Sequence, residues 1–173
     1  MLAVRRARAL FTQPTRTMST TQALPKQDDA NDKPWYAAFP APLRSVAEGT
    51  LATMSAQELR QRLLDGPKED DLLVVDVRRT DFETAFIKGA INLPAHSFYQ
   101  TLPSLVPILS RYRSVIFHCQ SSSGRGPRCA GWYQDALDKA SLSAETSKAV
   151  VLTGGIKEWV KQYGDDEQIT IRL

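Results

Sequence analysis

Two hydrophobic rhythms run along this 173-residue chain. Residues 72–77 (Leu-Leu-Val-Val-Asp-Val) form an apolar run broken only by Asp76, as expected of a strand covered on both faces. Residues 114–118 and 149–152 repeat that signature, and residues 90–93 make a shorter strand candidate stopped by Pro94. Between these runs the spacing turns helical. Ser55-Ala56-Gln57-Glu58 reads as a capping box ahead of Leu59, Leu63 and Leu64, and Gly66-Pro67 ends that helix. Residues 126–138 predict a helix with Pro127 near its first turn. Residues 155–162 predict another, with Ile156, Trp159 and Val160 on one face. Residues 96–110 predict one or two short helices, because Pro103 and Pro107 are incompatible with a clean long one. Trp132, Tyr133, Leu137 and Trp159 are core candidates, and His96 reads as a helix start or a surface residue.

Strands alternating with helices give an α/β fold: a single domain with a mainly parallel central sheet and helices on both faces. Ligands of such sheets sit at the carboxyl ends of the strands, so the segment after residue 118 is where chemistry is expected.

The charge is unevenly placed. Residues 1–27 hold Arg5, Arg6, Arg8, Arg16 and Lys26 and no acid, so they carry more than the whole formal net charge of +3 and the remainder is net acidic. The body therefore has no electrostatic reason to bind nucleic acid. The first 20 residues, rich in Arg, Ser and Thr, fit a mitochondrial presequence, an unstructured leader, or sequence ahead of a start at Met18. Residues 19–34 read as a polar linker, which makes 1–34 a leader and linker and 35–173 the folded domain, its core at about 50–163. Trp35, Tyr36 and Phe39 are placed to pack on the body. The expected location is cytoplasmic or nuclear, or mitochondrial if the leader is a presequence. No apolar run of about 18 residues exists to cross a membrane, and the two cysteines and two histidines show no zinc spacing, so no metal is expected.

The chemistry concentrates in His118-Cys119-Gln120-Ser121-Ser122-Ser123-Gly124-Arg125-Gly126-Pro127. A buried strand feeds Cys119, a short loop follows, and Arg125 opens a helix. A tight loop can turn its backbone N–H groups inward as a nest for an anion. The following helix adds its positive end and its unpaired first-turn donors. Arg125 supplies a planar fork suited to two oxygens of a tetrahedral oxyanion. The same positive field favours thiolate at Cys119, the form that attacks as a nucleophile. Small residues at 121–124 keep the cradle open.

Asp76-Val77-Arg78, then Ile87-Lys88-Gly89-Ala90-Ile91-Asn92-Leu93-Pro94, then the cysteine loop, then Gly154-Gly155-Ile156-Lys157-Glu158-Trp159, in that order, resemble a rhodanese domain over roughly residues 50–163. Within that fold the His-Cys-x5-Arg-Gly-Pro loop is similar to the M-phase inducer (cell-division-cycle) phosphatases and to the rhodanese-type arsenate reductases of fungi and plants. Ordinary sulfurtransferases of the family have a loop one residue shorter. The resemblance therefore implies room for phosphate or arsenate rather than a persulfide, and it argues against a thiosulfate sulfurtransferase. The intact Cys and Arg argue against a non-catalytic binding module.

The resemblance implies Cys119 as the nucleophile, with the backbone of residues 120–125 (Gln120, Ser121, Ser122, Ser123, Gly124, Arg125) and the Arg125 side chain holding the oxyanion. His118 would orient the loop; a simple strand-end histidine is the alternative. Asp76 and Arg78 would brace the strand end. Gly124 stands where the M-phase inducers have Glu, so any acid role for that Glu is lost here, and Phe86 stands where many relatives have His. Asp81 and Glu83 are acid candidates by loop position alone, and a solvated loop face is the expected role of both. Cys129 is either a resolving thiol for Cys119 or a small packing residue.

The implied activity is a Cys-dependent phosphatase acting on phosphotyrosine, phosphothreonine or a small phosphate ester through a phosphocysteine intermediate. The alternative is an arsenate reductase using the same thiolate with glutathione or glutaredoxin as thiol reductant. No bound cofactor is expected in either case.

Overall fold

A computed structural model of the chain describes residues 34–66, 71–142 and 146–173. The leader and linker expected before residue 34, and Pro67 of the expected helix stop, lie outside the described residues.

The apolar runs become the centre of a five-stranded sheet in the order β1-β6-β5-β2-β4, formed by β1 (Ala52–Met54), β6 (Lys148–Leu152), β5 (Ser114–His118), β2 (Leu72–Asp76) and β4 (Ile91–Asn92). All its pairings are parallel. β5 is buried along its whole length, because strands cover it on both sides and helices on both faces. The strand expected at 90–93 is reduced to two residues paired to the end of β2.

The helices divide the core in two. α2 (Ala95–Leu109) and α3 (Arg125–Lys139) close one face, with Phe98, Leu102, Leu109, Trp132, Tyr133 and Leu137 buried against Val75, Val115 and Phe117. α1 (Ala56–Leu64) and α4 (Gly155–Tyr163) close the other, with Leu59, Ile156 and Trp159 against Val74, Ile116 and Val150. Ser55 caps α1 as its sequence predicts: its hydroxyl accepts the Glu58 N–H at 3.1 Å. Trp35, Tyr36 and Phe39 pack against the α2/α3 side, where Trp35 stacks on His96 with ring centroids 4.6 Å apart. His96 is the second residue of α2 and is half-buried there.

α2 corrects the expectation of short helices at 96–110. It is one helix of 15 residues with Pro103 and Pro107 inside it. Both prolines are exposed while Phe98, Leu102 and Leu109 are buried. Each proline removes an N–H and frees one carbonyl on the solvent side, where water can satisfy it. Burial of the opposite face outweighs that loss.

Two strands went unforeseen beyond the parallel sheet. β3 (Ala85–Ile87) and β7 (Thr170–Arg172) pair antiparallel as a small second sheet. Among the described residues no helix is long and apolar enough to cross a membrane.

Candidate active site

The site grows from the carboxyl ends of β2 and β5. Asp76 and His118 are register partners there, so Asp76-Val77-Arg78 and His118-Cys119 leave the sheet side by side. The Val77 N–H donates to the His118 carbonyl at 2.9 Å, extending the pairing one residue beyond β2.

Beneath the loop lies a buried ion pair. The Asp76 carboxylate accepts Arg78 Nε at 2.8 Å and lies 2.7 Å from Nη2, and both side chains are shut off from solvent. Arg78 spends its remaining donors on backbone: Nη1 on the Asp81 and Glu83 carbonyls (3.2 and 3.3 Å) and Nη2 on the Ala85 carbonyl (2.8 Å). A guanidinium with five donors can serve a carboxylate and three carbonyls at once, and an ammonium could not match that planar fan. Arg78 thus moulds the whole 81–85 loop.

His118 is completely buried. Burial lowers its pKa by disfavouring the charged ring, and the nearby Asp76 charge only partly opposes that. Its Nδ1 donates to the Cys119 carbonyl at 3.3 Å, while Nε2 has no hydrogen-bond partner among the described residues. The ring is thus fastened to the peptide that follows the cysteine, with burial favouring its neutral form.

Cys119 is 3 % exposed at the floor of the loop. α4 holds the loop from behind: the Ile156 N–H donates to the Cys119 carbonyl and the Lys157 N–H to the Gln120 carbonyl, each at 3.0 Å. That close approach explains Gly155. Its φ is +61°, and a Cβ there would stand 2.5 Å from the Cys119 carbonyl oxygen. On the opposite side the backbone of Gly126 packs against Cys119 N, 3.3 Å from where a Cβ would be.

Between these anchors the loop turns through Ser122, a non-glycine residue with φ of 53°. The Ser121 and Ser123 hydroxyls share a hydrogen bond of 2.8 Å. Among the described residues, no acceptor takes the backbone N–H groups of residues 120–125. α3 begins at Arg125 with no side-chain cap, so its first-turn donors and positive end also face the loop. The structure therefore gathers Cys119, the 120–125 backbone and Arg125 in one place.

Arg125 does not stand free over this cradle. Its Nη1 donates to Asp81 Oδ1 at 2.7 Å and its Nη2 to Asp81 Oδ2 at 2.5 Å. The solvated loop face expected for Asp81 is thus corrected: the loop moulded by Arg78 turns this carboxylate onto the guanidinium. Arg125 holds the Asp81 carboxyl well below the usual carboxylate range, and Asp81 raises Arg125 in turn. A negative charge on Cys119 acts in the same direction as Asp81, raising Arg125 further. Glu83 is exposed and its carbonyl, not its carboxylate, serves the site.

Cys129 lies in α3 with no solvent exposure, and burial pushes its thiol pKa far up, helped by the Cys119 charge. No group of three or more His, Cys, Asp or Glu able to hold a metal ion occurs among the described residues.

Residues 55–162 match the family model described as the rhodanese-like domain. The chain is 30% identical over 132 residues to the dual specificity phosphatase ibp1 of Schizosaccharomyces pombe, covering 68% of this chain and 94% of that one. It is 32% identical over 93 residues to arsenate reductase 2.2 of Oryza sativa subsp. japonica, covering 53% and 72%. Among solved structures it is similar to Ygr203w, a yeast protein tyrosine phosphatase of the rhodanese family, with a TM-score of 0.59 and 30% identity, covering 69% of this chain and 91% of that one.

Proposed function

Because the chain belongs to the rhodanese-like domain family, we propose that it is a cysteine-dependent phosphatase whose nucleophile is Cys119 and whose oxyanion site is the 120–125 backbone with the Arg125 fork. The observation that carries this reading is that Arg125 opens α3 at the end of the loop that starts at the buried Cys119, and that the loop N–H groups of residues 120–125 meet no acceptor among the described residues. The phosphatase relatives support it.

The thiolate sulfur attacks phosphorus in line with the leaving oxygen, forming an S–P bond as the O–P bond breaks. Loop N–H groups and Arg125 hold the three equatorial oxygens, where charge accumulates. Water then attacks the phosphocysteine, releasing inorganic phosphate and restoring the thiolate. His118, neutral and committed to the Cys119 carbonyl, keeps the loop in shape through both steps.

A second reading is favoured by the arsenate reductase relative. Arsenate matches phosphate in charge and shape. The same sulfur would displace water from arsenate, and an external thiol of the glutathione or glutaredoxin class would attack that sulfur. Two electrons then pass to arsenic, which leaves as arsenite, while the thiol and Cys119 form a mixed disulfide that a second thiol reduces.

The deciding experiment runs p-nitrophenyl phosphate hydrolysis beside arsenate reduction with glutathione and glutaredoxin. Aryl phosphate turnover that disappears in Cys119→Ser, with a phosphorylated cysteine recovered by rapid acid quench and mass spectrometry, supports the phosphatase. Arsenite production without phosphate turnover transfers the assignment to the reductase. Unchanged activity in folded Cys119→Ser rejects both.

A further inference from the structure

We propose that Asp81 is an internal stand-in for the substrate oxyanion: it occupies the Arg125 fork in the resting protein, and a dianionic oxyanion binds by displacing it. The inference rests on the oxyanion-site reading above and deepens it by adding a residue that sets which anions the site accepts.

The geometry is that of a bound ligand. Both carboxylate oxygens of Asp81 meet both terminal nitrogens of Arg125. This is the two-point pattern a phosphate or arsenate would present to the same edge. The fork cannot serve two such partners on one edge, so anion and carboxylate compete.

The loop is built to hold the competitor and also to release it. Its backbone is fixed independently of Arg125, because the Asp81, Glu83 and Ala85 carbonyls are held by Arg78, itself locked to Asp76. The Asp81 carboxylate also accepts the Arg79 N–H at 3.0 Å. Leaving Arg125 therefore requires rotation of one short side chain and no unfolding of the loop. The Asp81 side chain is 37% exposed, so solvent waits to receive it. The other titratable or charged groups around the fork are Cys119 at the floor, Arg79, and His96, whose charged form is disfavoured first by burial and then by Arg79 and Arg125.

Competition of this kind has a selective consequence. A monoanion brings no more charge to Arg125 than Asp81 already supplies. A dianion brings more, and it also reaches the loop N–H groups that Asp81 leaves unused. The observed affinity equals the intrinsic affinity reduced by the fraction of molecules whose fork is free. Product phosphate is thereby held less firmly than the cradle alone would hold it.

The test is calorimetric binding of inorganic phosphate at neutral pH to the wild-type chain, Asp81→Asn and Asp81→Ala, with circular dichroism to verify folding. Both variants are expected to bind phosphate about tenfold more tightly than wild type, within the range of ordinary coupling between two ligands. Formate, a monoanion, is expected to bind the wild type undetectably and to gain in both variants. Equal or weaker phosphate binding in folded variants overturns the proposal while leaving the oxyanion site standing. No phosphate binding in any of the three overturns both readings. Should the variants not fold, a crystal structure of the wild-type chain with phosphate decides: phosphate on the Arg125 fork with Asp81 turned away supports displacement, and phosphate in the loop with Asp81 still paired overturns it.

Discussion

The Asp81 carboxylate and the Arg125 guanidinium, 44 residues apart in sequence, meet as a two-point ion pair whose Nη1–Oδ1 arm measures 2.7 Å. Arg125 holds the Asp81 carboxyl far below its ordinary value. A group depressed in the folded state adds stability above its unfolded pKa, about 3.9 for Asp, and loses it as pH falls towards the folded value. Partial exposure limits that contribution to less than about 1 kcal/mol. In a carboxyl 13C titration, Asp81 is expected to remain ionised at about pH 3, where an unpaired aspartate is mostly protonated. A midpoint near 4 for this residue contradicts the pair.

His118 is expected to make the fold acid-sensitive. Its folded pKa is lowered by burial. The unfolded chain therefore takes up its proton first, and stability is complete above about pH 6.5 and declines below it. Melting temperatures of wild type and His118→Gln, measured between about pH 8 and 5, test this. The variant is expected to start lower and to show the shallower decline. Parallel declines would remove His118 as the cause.

Gly155→Ala places a methyl group 2.5 Å from the Cys119 carbonyl at a φ of +61°. Strain and displacement together are expected to cost about 1–3 kcal/mol and to pull the cysteine loop off α4. Gly124→Ala is the control, because a Cβ there meets nothing within 4 Å. Urea unfolding should separate the two. Equal stability would mean that the α4 contact does not anchor the loop.

Asp76 and Arg78 are expected to be strongly coupled. Removing one partner strands a buried charge, so Asp76→Ala should cost about 3–5 kcal/mol. With Asp76 already removed, Arg78→Met should cost clearly less than it does in the wild-type chain. A double-mutant cycle reads this directly, and additive losses would refute the coupling.

Much of the frame was legible because the central strands of a parallel sheet are apolar throughout. Val74, Val75, Ile116, Phe117, Val150 and Val151 are buried on whichever face they point to, so their runs stand out. The cysteine loop was legible because its parts are contiguous: strand, Cys119, small residues, Arg125. β1, β3 and β7 have three residues each, too few to set a rhythm. α2 was obscured by Pro103 and Pro107, whose effect depends on which side of the helix meets water. Asp81 was ambiguous for a different reason. Its partner is remote in sequence, and it is positioned by the carbonyl contacts of Arg78, which leave no mark on residue order.

The two hydrogen bonds from α4 to the loop carry one more implication. In a trans, planar peptide the oxygen and the hydrogen point in opposite directions. The Cys119 and Gln120 oxygens are pulled towards α4. The hydrogens on the nitrogens of Gln120 and Ser121 must then point the other way. A helix that never needs to meet a ligand thus sets which end of each dipole the ligand encounters, and Gly154-Gly155 governs the polarity of the bowl from its outer wall.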